Sequence, residues 1–112
     1  MMIGKNKKIH LKLKVLATAA ARYYNVPISR LLGKSKCAVY ARPRHICMWV
    51  SKNAGYDSID VAKFWCLHKS TIYAGSQQVQ LRLVGNAKVQ ADLRRFLVYL
   101  TAYMKDPSSA KK

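Results

Sequence analysis

The sequence predicts an all-α domain of about six helices that includes a helix-turn-helix. The clearest evidence is an apolar stripe at helical spacing near the end of the chain, formed by Val89, Leu93, Phe96, Leu97, Leu100 and Met104. Gly85 and Asn86 precede this segment as a helix stop and a helix cap. At 112 residues the chain has room for one domain.

The first helix is predicted over about residues 10–25, because Ala17–Ala21 is strongly helix-forming. Apolar and polar residues alternate over Ile9–Val15, so a short strand used for dimer pairing is an alternative; a lone strand would have no partner. Asn25–Pro27 breaks the helix, and its proline suits the first position of a short second helix over Ile28–Leu32.

A basic loop and a third helix are predicted next. The loop spans Gly33–Arg42, and Pro43 suits the first turn of a helix that runs to about Ala54 and closes at Gly55. The buried stripe of this helix is predicted to contain Ile46, Cys47, Val50 and Ala54.

The next segment predicts a short helix, a tight turn and a longer helix. Asp57 is expected to cap the short helix, with Asp60 completing an arrangement like a capping box. This helix runs to about Trp65, Cys66–Leu67 forms the turn, and His68–Thr71 opens the longer helix. The buried face of the longer helix is predicted to hold Ile72, Ser76, Val79 and Leu83.

The charge balance indicates a polyanionic partner. There are 21 Lys+Arg against 4 Asp+Glu, a net charge of +17, and residues 1–56 contain no acid. Such an imbalance causes self-repulsion, which nucleic acid relieves. A merely soluble basic surface and an anionic membrane surface are alternatives. We expect a basic arm over residues 1–9, a helix-turn-helix DNA-binding domain over 10–105 and a flexible basic tail over 106–112.

Cysteine usage and the N-terminus indicate a reducing, cytoplasmic setting. The 3 cysteines show no C-x-x-C spacing, and the chain start has no apolar signal region. No carboxylate pair, triad or nucleophile–base pattern is present, so neither catalysis nor a cofactor is expected. Irregular spacing argues against a zinc site formed by Cys37, His45, Cys47 and His68.

Three segments carry a resemblance to one family. Ala21–Leu32 contains Tyr-Tyr followed by a helix ending in Leu-Leu, Lys34–Arg44 contains a basic loop followed by Ala-Arg-Pro-Arg, and Phe64–Ile72 ends in His-Lys-Ser-Thr-Ile. In this order they resemble the C-terminal DNA-binding domain of DnaA, the bacterial replication initiator. The resemblance covers roughly residues 12–100. It implies a free-standing, Trp-repressor-like fold without the initiator's ATPase domain.

The resemblance implies that the start of the longer helix reads bases in the major groove. Ser70 and Thr71 match the family's hydroxyl pair, whereas His68 and Lys69 stand where the family usually has Asp and His. His and Lys donate more readily to guanine or phosphate, while Asp accepts from cytosine, so we expect altered or relaxed sequence preference. Two alternatives are that a hydroxyl residue only caps the helix and that His68 is a half-buried turn residue.

The resemblance also implies roles for basic residues that precede the longer helix in the sequence. Lys36 aligns with the arginine that enters the minor groove, and Lys34 assists or is a solvated loop residue. The family's phosphate-contacting positions align with Arg44, His45 and Lys52. Arg42 either joins them or bonds the turn structurally. Lys63 and Arg82 are further candidates without motif support.

The leading hypothesis is a sequence-reading binder of double-stranded DNA in replication or transcription control. The expected location is the cytoplasm (nucleoid) of a bacterium or phage-infected cell, with replication or transcription factors as further partners. A nonspecific nucleoid or architectural DNA binder is the first alternative, and an RNA-binding or interaction protein is the second. Core packing is favoured over base stacking for Tyr23, Tyr24, Trp49 and Trp65.

Overall fold

The computed structural model describes residues 12–35 and 37–105, which form six α-helices and no β-strand. Helices α1 to α6 span Leu13–Tyr23, Ile28–Leu31, Ala38–Asn53, Ser58–Trp65, Lys69–Leu83 and Ala87–Lys105. The all-α class and the number of helices are confirmed. Residues 13–15 are helical, so the alternative strand is wrong there. The predicted arm and tail lie outside the described residues.

Three helices end with the same hydrogen-bond motif around a residue of positive φ. After α1, Asn25 (φ 55°) and Val26 donate their backbone N–H groups to the carbonyls of Arg22 and Ala21, at 3.2 and 2.9 Å. Equivalent bonds surround Gly55 after α3 and Cys66 after α4. This Schellman motif satisfies carbonyls that a helix end leaves open. The predicted stops near residues 25 and 55 are therefore confirmed.

The third helix begins earlier than predicted. Pro43, expected in the first turn, lies inside a helix that starts at Ala38. The Ser35 hydroxyl accepts the Cys37 N–H at 3.1 Å, and the Cys37 carbonyl accepts two helical N–H groups at 3.0 and 2.8 Å. These local bonds begin the helix ahead of the proline, which has no N–H to donate. The basic loop is correspondingly shorter than predicted.

Helix starts agree only partly with the sequence. The Asn86 side-chain oxygen accepts the Val89 N–H at 3.1 Å, so the predicted cap of α6 is confirmed. Asp57 occupies the N-cap of α4, but its carboxylate makes no capping bond and the box expected with Asp60 is wrong. Pro27 is the N-cap of α2 rather than its first helical residue, because its ψ of 137° is extended.

The core forms where α1 packs on α3 and α6 while α5 packs on α3 and α4. The predicted apolar face of α5 is confirmed, with Leu83 at its half-buried edge. Within α6, Met104 is exposed and Tyr103 is buried, which corrects the predicted stripe. Phe96, Leu100 and Tyr103 are separated by four and then three residues. These two steps average close to the helical repeat of about 3.6 residues, so the three side chains lie on one face of α6.

The aromatic residues pack mainly within the fold. Tyr23 and Tyr24 lie against Phe96, with ring centroids 5.3 and 5.4 Å away. Trp65 is 3% exposed, and half-buried Trp49 donates its indole N–H to the Gln80 side-chain oxygen at 3.1 Å. Core packing, the favoured interpretation of these residues, is confirmed.

Helices α3 and α5 approach closely at Gly75. A Cβ at this position would clash with Met48 Sδ and would lie 3.1 Å from His45 Cδ2. Met48 is only 1% exposed, so it has little room to move aside. The glycine therefore sets how closely the first half of α5 lies against α3.

We expect Gly75→Ala to lower the free energy of unfolding by about 1–3 kcal/mol, because overpacking outweighs the better helix propensity of alanine. Urea denaturation measures this change. Exposed Ala74 provides the control, since Ala74→Gly costs only about 1 kcal/mol of helix propensity. A gain in stability from Gly75→Ala would contradict the close approach.

Candidate nucleic-acid interface

Arg44 fixes the basic loop to the helices around it. Its Nε donates to the Leu31 carbonyl at 2.8 Å, and its two terminal nitrogens donate to the carbonyls of Ser35 and Arg30 at 2.9 and 3.1 Å. The residue is only 6% exposed, and burial lowers the pKa of its guanidinium. The resemblance implied a phosphate contact for Arg44, and the structure corrects this because its guanidinium is buried against backbone carbonyls. Arg44 therefore has the structural role in the turn that the sequence left open for Arg42.

A cleft of about 400 Å³ lies between the basic loop and the start of α5. Lys34 and Ser35 line it from the loop, Thr71 lines it from α5, and α3 contributes His45 between them. The remaining lining residues are Gly33, Ala41, Arg44, Met48 and Leu67. None of these described lining residues is acidic, so the cleft presents positive charge without a carboxylate to neutralise it.

The start of α5 is capped by a histidine. His68 Nδ1 accepts the Ser70 backbone N–H at 3.2 Å and lies 2.9 Å from the Ser70 hydroxyl. The alternative in which Ser70 or Thr71 caps the helix is therefore wrong. His68 is also exposed rather than half-buried, as are Lys69, Ser70 and Thr71. Four polar side chains thus stand at the surface where α5 begins.

His45 connects the cleft to the core. It is half-buried, it lies beside the close approach at Gly75, and its buried Nδ1 has no hydrogen-bond partner in the described part of the chain. Burial lowers the pKa of His45, and the positive charges of Arg82 and Arg44 lower it further. Its neutral form is therefore favoured in the free protein.

The other predicted basic residues lie apart from the cleft. Arg42 is exposed and does not line it. Lys52, near the end of α3, donates its ammonium to the Ser58 hydroxyl at 2.9 Å and so connects α3 to α4. Lys63 is exposed on α4, and Lys36 lies outside the described residues. The structure thus groups Lys34, His45 and Thr71, with His68–Ser70 adjoining them.

Gly75 is the supporting residue that sequence reasoning missed. It does not line the cleft, but it allows α5 to approach the His45 side of α3. The available signal was a glycine inside a predicted helix, which costs about 1 kcal/mol relative to alanine and so indicates a packing requirement.

The cysteines and histidines do not form a metal-binding group in the described part of the chain. Residues 12–35 and 37–105 contain no cluster of three or more potential ligands among His, Cys, Asp and Glu. Cys37 is exposed and Cys47 is buried, so the four residues considered for zinc are not brought together. Over the same residues, no helix is both long and apolar enough to cross a lipid bilayer.

No protein-family model matches the sequence, and no curated protein matches it.

We expect Arg44→Met to lower the free energy of unfolding by about 3 kcal/mol or more, because it removes all three hydrogen bonds from the guanidinium to backbone carbonyls. Arg44→Lys should recover only part of this loss, since an ammonium cannot reproduce the planar fork of donors. Urea denaturation tests both. The matched control is exposed Arg42→Met, expected to change stability by less than about 0.5 kcal/mol; equal losses at residues 42 and 44 would contradict the anchoring role.

A second expectation concerns pH. Because the pKa of His45 is lower in the folded than in the unfolded state, the unfolded chain binds a proton first as pH falls. His45 therefore makes its full contribution to the free energy of unfolding at pH values above those at which an ordinary histidine titrates. This contribution decreases below about pH 6.5, by at most about 1.4 kcal/mol per pH unit.

Denaturation at several pH values between 5 and 8 tests this expectation. His45→Gln should reduce the slope of stability against pH, while His68→Asn serves as the matched control that removes a different histidine but keeps a capping side chain. An unchanged slope in His45→Gln would exclude the inferred proton linkage.

Proposed function

We propose that this chain binds double-stranded DNA through a DnaA-type helix-turn-helix. In this proposal α4 and α5 are the paired helices, and the start of α5 enters the major groove. The observation that carries the proposal is the acid-free cleft that has Lys34 of the basic loop on one side and Thr71 of α5 on the other. These residues are distant in sequence, yet both are available to one extended polyanion.

The two sides of the cleft suit different parts of a duplex. A helix fits the wide major groove, whereas an extended basic loop fits the narrower minor groove. Lys34 then contacts phosphates or the minor-groove edge, and the residues at the start of α5 contact base edges and neighbouring phosphates. The resemblance to the DnaA DNA-binding domain supports the same division between loop and helix.

The cap geometry supports a donor role for His68. A neutral imidazole that accepts at Nδ1 carries its proton on Nε2, which is then the nitrogen available to donate. Nε2 and the ammonium of Lys69 both suit guanine acceptors or phosphate oxygens. Neither reproduces the acceptor that an Asp provides for cytosine. We therefore propose a base preference different from that of the family.

The overall charge supports high affinity and strong salt dependence. Each neutralised phosphate contributes a slope of about −0.9 to log K against log salt. The described acids lie elsewhere: Asp57 and Asp60 are at the start of α4, and Asp92 on α6 pairs with Arg95 at 2.8 Å. The proposed interface consequently attracts phosphates without local opposition from a carboxylate.

The proposed setting is replication or transcription control in the nucleoid of a bacterial or phage-infected cell. A protein that occupied DnaA-type sites would compete with the initiator for them. Replication or transcription factors are the further partners that this role implies.

A nonspecific architectural role is the second candidate. The net charge of +17 favours it, because phosphate contacts alone produce tight binding with little base readout. Lys69 at a base-reading position favours it too, since its ammonium pairs with any phosphate.

Selection of bound duplexes from a random pool at about 0.15 M salt tests the proposal. We expect an enriched motif, and we expect His68→Asp to move one position of it toward cytosine while retaining a capping side chain. Enrichment of no motif would exclude sequence reading and leave the architectural role.

Affinity measurements across salt concentrations locate the interface. Lys34→Ala should weaken binding to all duplexes and reduce the salt slope by about 0.9. Exposed Arg94→Ala on α6 removes the same charge outside the cleft and should have a much smaller effect. Equal effects of the two variants would exclude the cleft as the binding surface.

A further inference from the structure

A second cleft, of about 390 Å³, lies among α3, α5 and α6. Its lining is mainly apolar and includes Val39 and Ile46 of α3, Val79 of α5 and Leu93 of α6. Val79 and Leu93 are buried, whereas Val39 is 59% exposed at the surface. The cleft therefore has an apolar interior that reaches solvent, the usual form of a small-molecule site.

This cleft shares no lining residue with the cleft of the proposed DNA-binding surface. Successive residues of a helix are rotated by about 100°. Arg44, His45 and Met48 fall on one side of α3 and line the first cleft, whereas Arg42 and Ile46 fall on the other side and line the second. A ligand in the second cleft would consequently not compete with DNA for the same side chains.

Two guanidinium groups give the apolar cleft a specific charge. Arg42 and Arg82 both line it, and within the described part of the chain neither guanidinium has a hydrogen bond or an ion pair. The acidic lining residue, Asp92, is already paired with Arg95 at 2.8 Å. The lining thus contains two arginines and one carboxylate, and that carboxylate is shared with Arg95 outside the cleft.

We propose that this cleft binds a small carboxylate with a compact apolar body. The apolar part would be buried against Val79 and Leu93, and the carboxylate would accept hydrogen bonds from Arg42 or Arg82, whose planar donor forks match it. A nucleic-acid phosphate does not satisfy both requirements, because it carries no comparable apolar group. The site does not use Lys34 or the residues at the start of α5, which make the proposed DNA contacts.

Titration of the full chain with 4-phenylbutyrate, followed by backbone amide chemical shifts in NMR, tests the proposal. We expect saturable shifts concentrated at Ile46, Val79 and Leu93. The amide 4-phenylbutyramide has the same apolar body without the charge and should bind about tenfold more weakly. Acetate has the charge without the apolar body and should produce no saturable shift there. Equal binding of the acid and its amide would overturn the proposal.

Charge variants separate this site from general attraction to a basic protein. Arg82→Gln or Arg42→Gln should weaken 4-phenylbutyrate binding about tenfold and leave the amide unaffected. The matched control is exposed Arg94→Gln on α6, which does not line the cleft and should not change binding. Equal weakening by Arg82→Gln and Arg94→Gln would overturn the proposal, because it would show that only overall charge matters.

Amide shifts measured at increasing protein concentration test whether a second copy of the chain occupies the cleft instead. If the same lining residues shift on concentrating the protein alone while 4-phenylbutyrate produces no shift, a second copy of the chain occupies the cleft and the proposal is wrong. The amide-shift measurements require no DNA. Failure of this proposal is therefore distinguishable from failure of the proposed DNA binding.

Discussion

The position of the basic loop depends on one buried guanidinium. Removing a charged group from water is costly unless its donors are satisfied, and Arg44 meets this condition with three backbone carbonyls. Two of those carbonyls belong to α2 and the third to the loop. The same side chain therefore satisfies the end of a short helix, holds the loop in place and fixes both to α3. Lys34 owes its place beside the cleft to this arrangement.

The opposite side of the cleft depends on backbone geometry. Cys66 adopts the left-handed conformation that ends α4, and His68 then caps α5 only three residues after α4 finishes. Gly75 allows α5 to lie close to α3. The loop and the start of α5 are thus positioned through separate contacts with the same central helix. The exposed side chains of Lys34 and Lys69 make none of these contacts, so they can change without altering the elements that hold them.

Much of the fold was predictable because its helix boundaries depend on local chemistry. Asn25, Gly55 and Asn86 act within a few residues of their own positions, and they end or begin helices in the structure as predicted. Pro43 was misplaced because a proline favours a first turn locally, whereas the hydrogen bonds around Cys37 start the helix earlier. The hydrogen bonds of the loop before α3 thus outweighed the local preference of the proline for a first turn.

The roles of Arg42 and Arg44 were not predictable from residue type. Both flank the same proline, and both belong to the family resemblance. Two residues apart on a helix, they point about 200° apart, so one lies under the loop while the other faces solvent. Deciding between them required knowing where α2 ends relative to α3. Sequence periodicity within a single helix contains no such information.

The cysteines provide a way to observe both sides of the cleft. Cys37 follows the basic loop and Cys66 precedes the capped start of α5, and both thiols are exposed. Cys47 is buried, which raises the pKa of its thiol to about 12 and keeps it in the unreactive protonated form. Thiol-directed probes would therefore attach to the two elements that flank the cleft without modifying the core. The native chain already carries the attachment points needed to measure whether these elements move relative to each other.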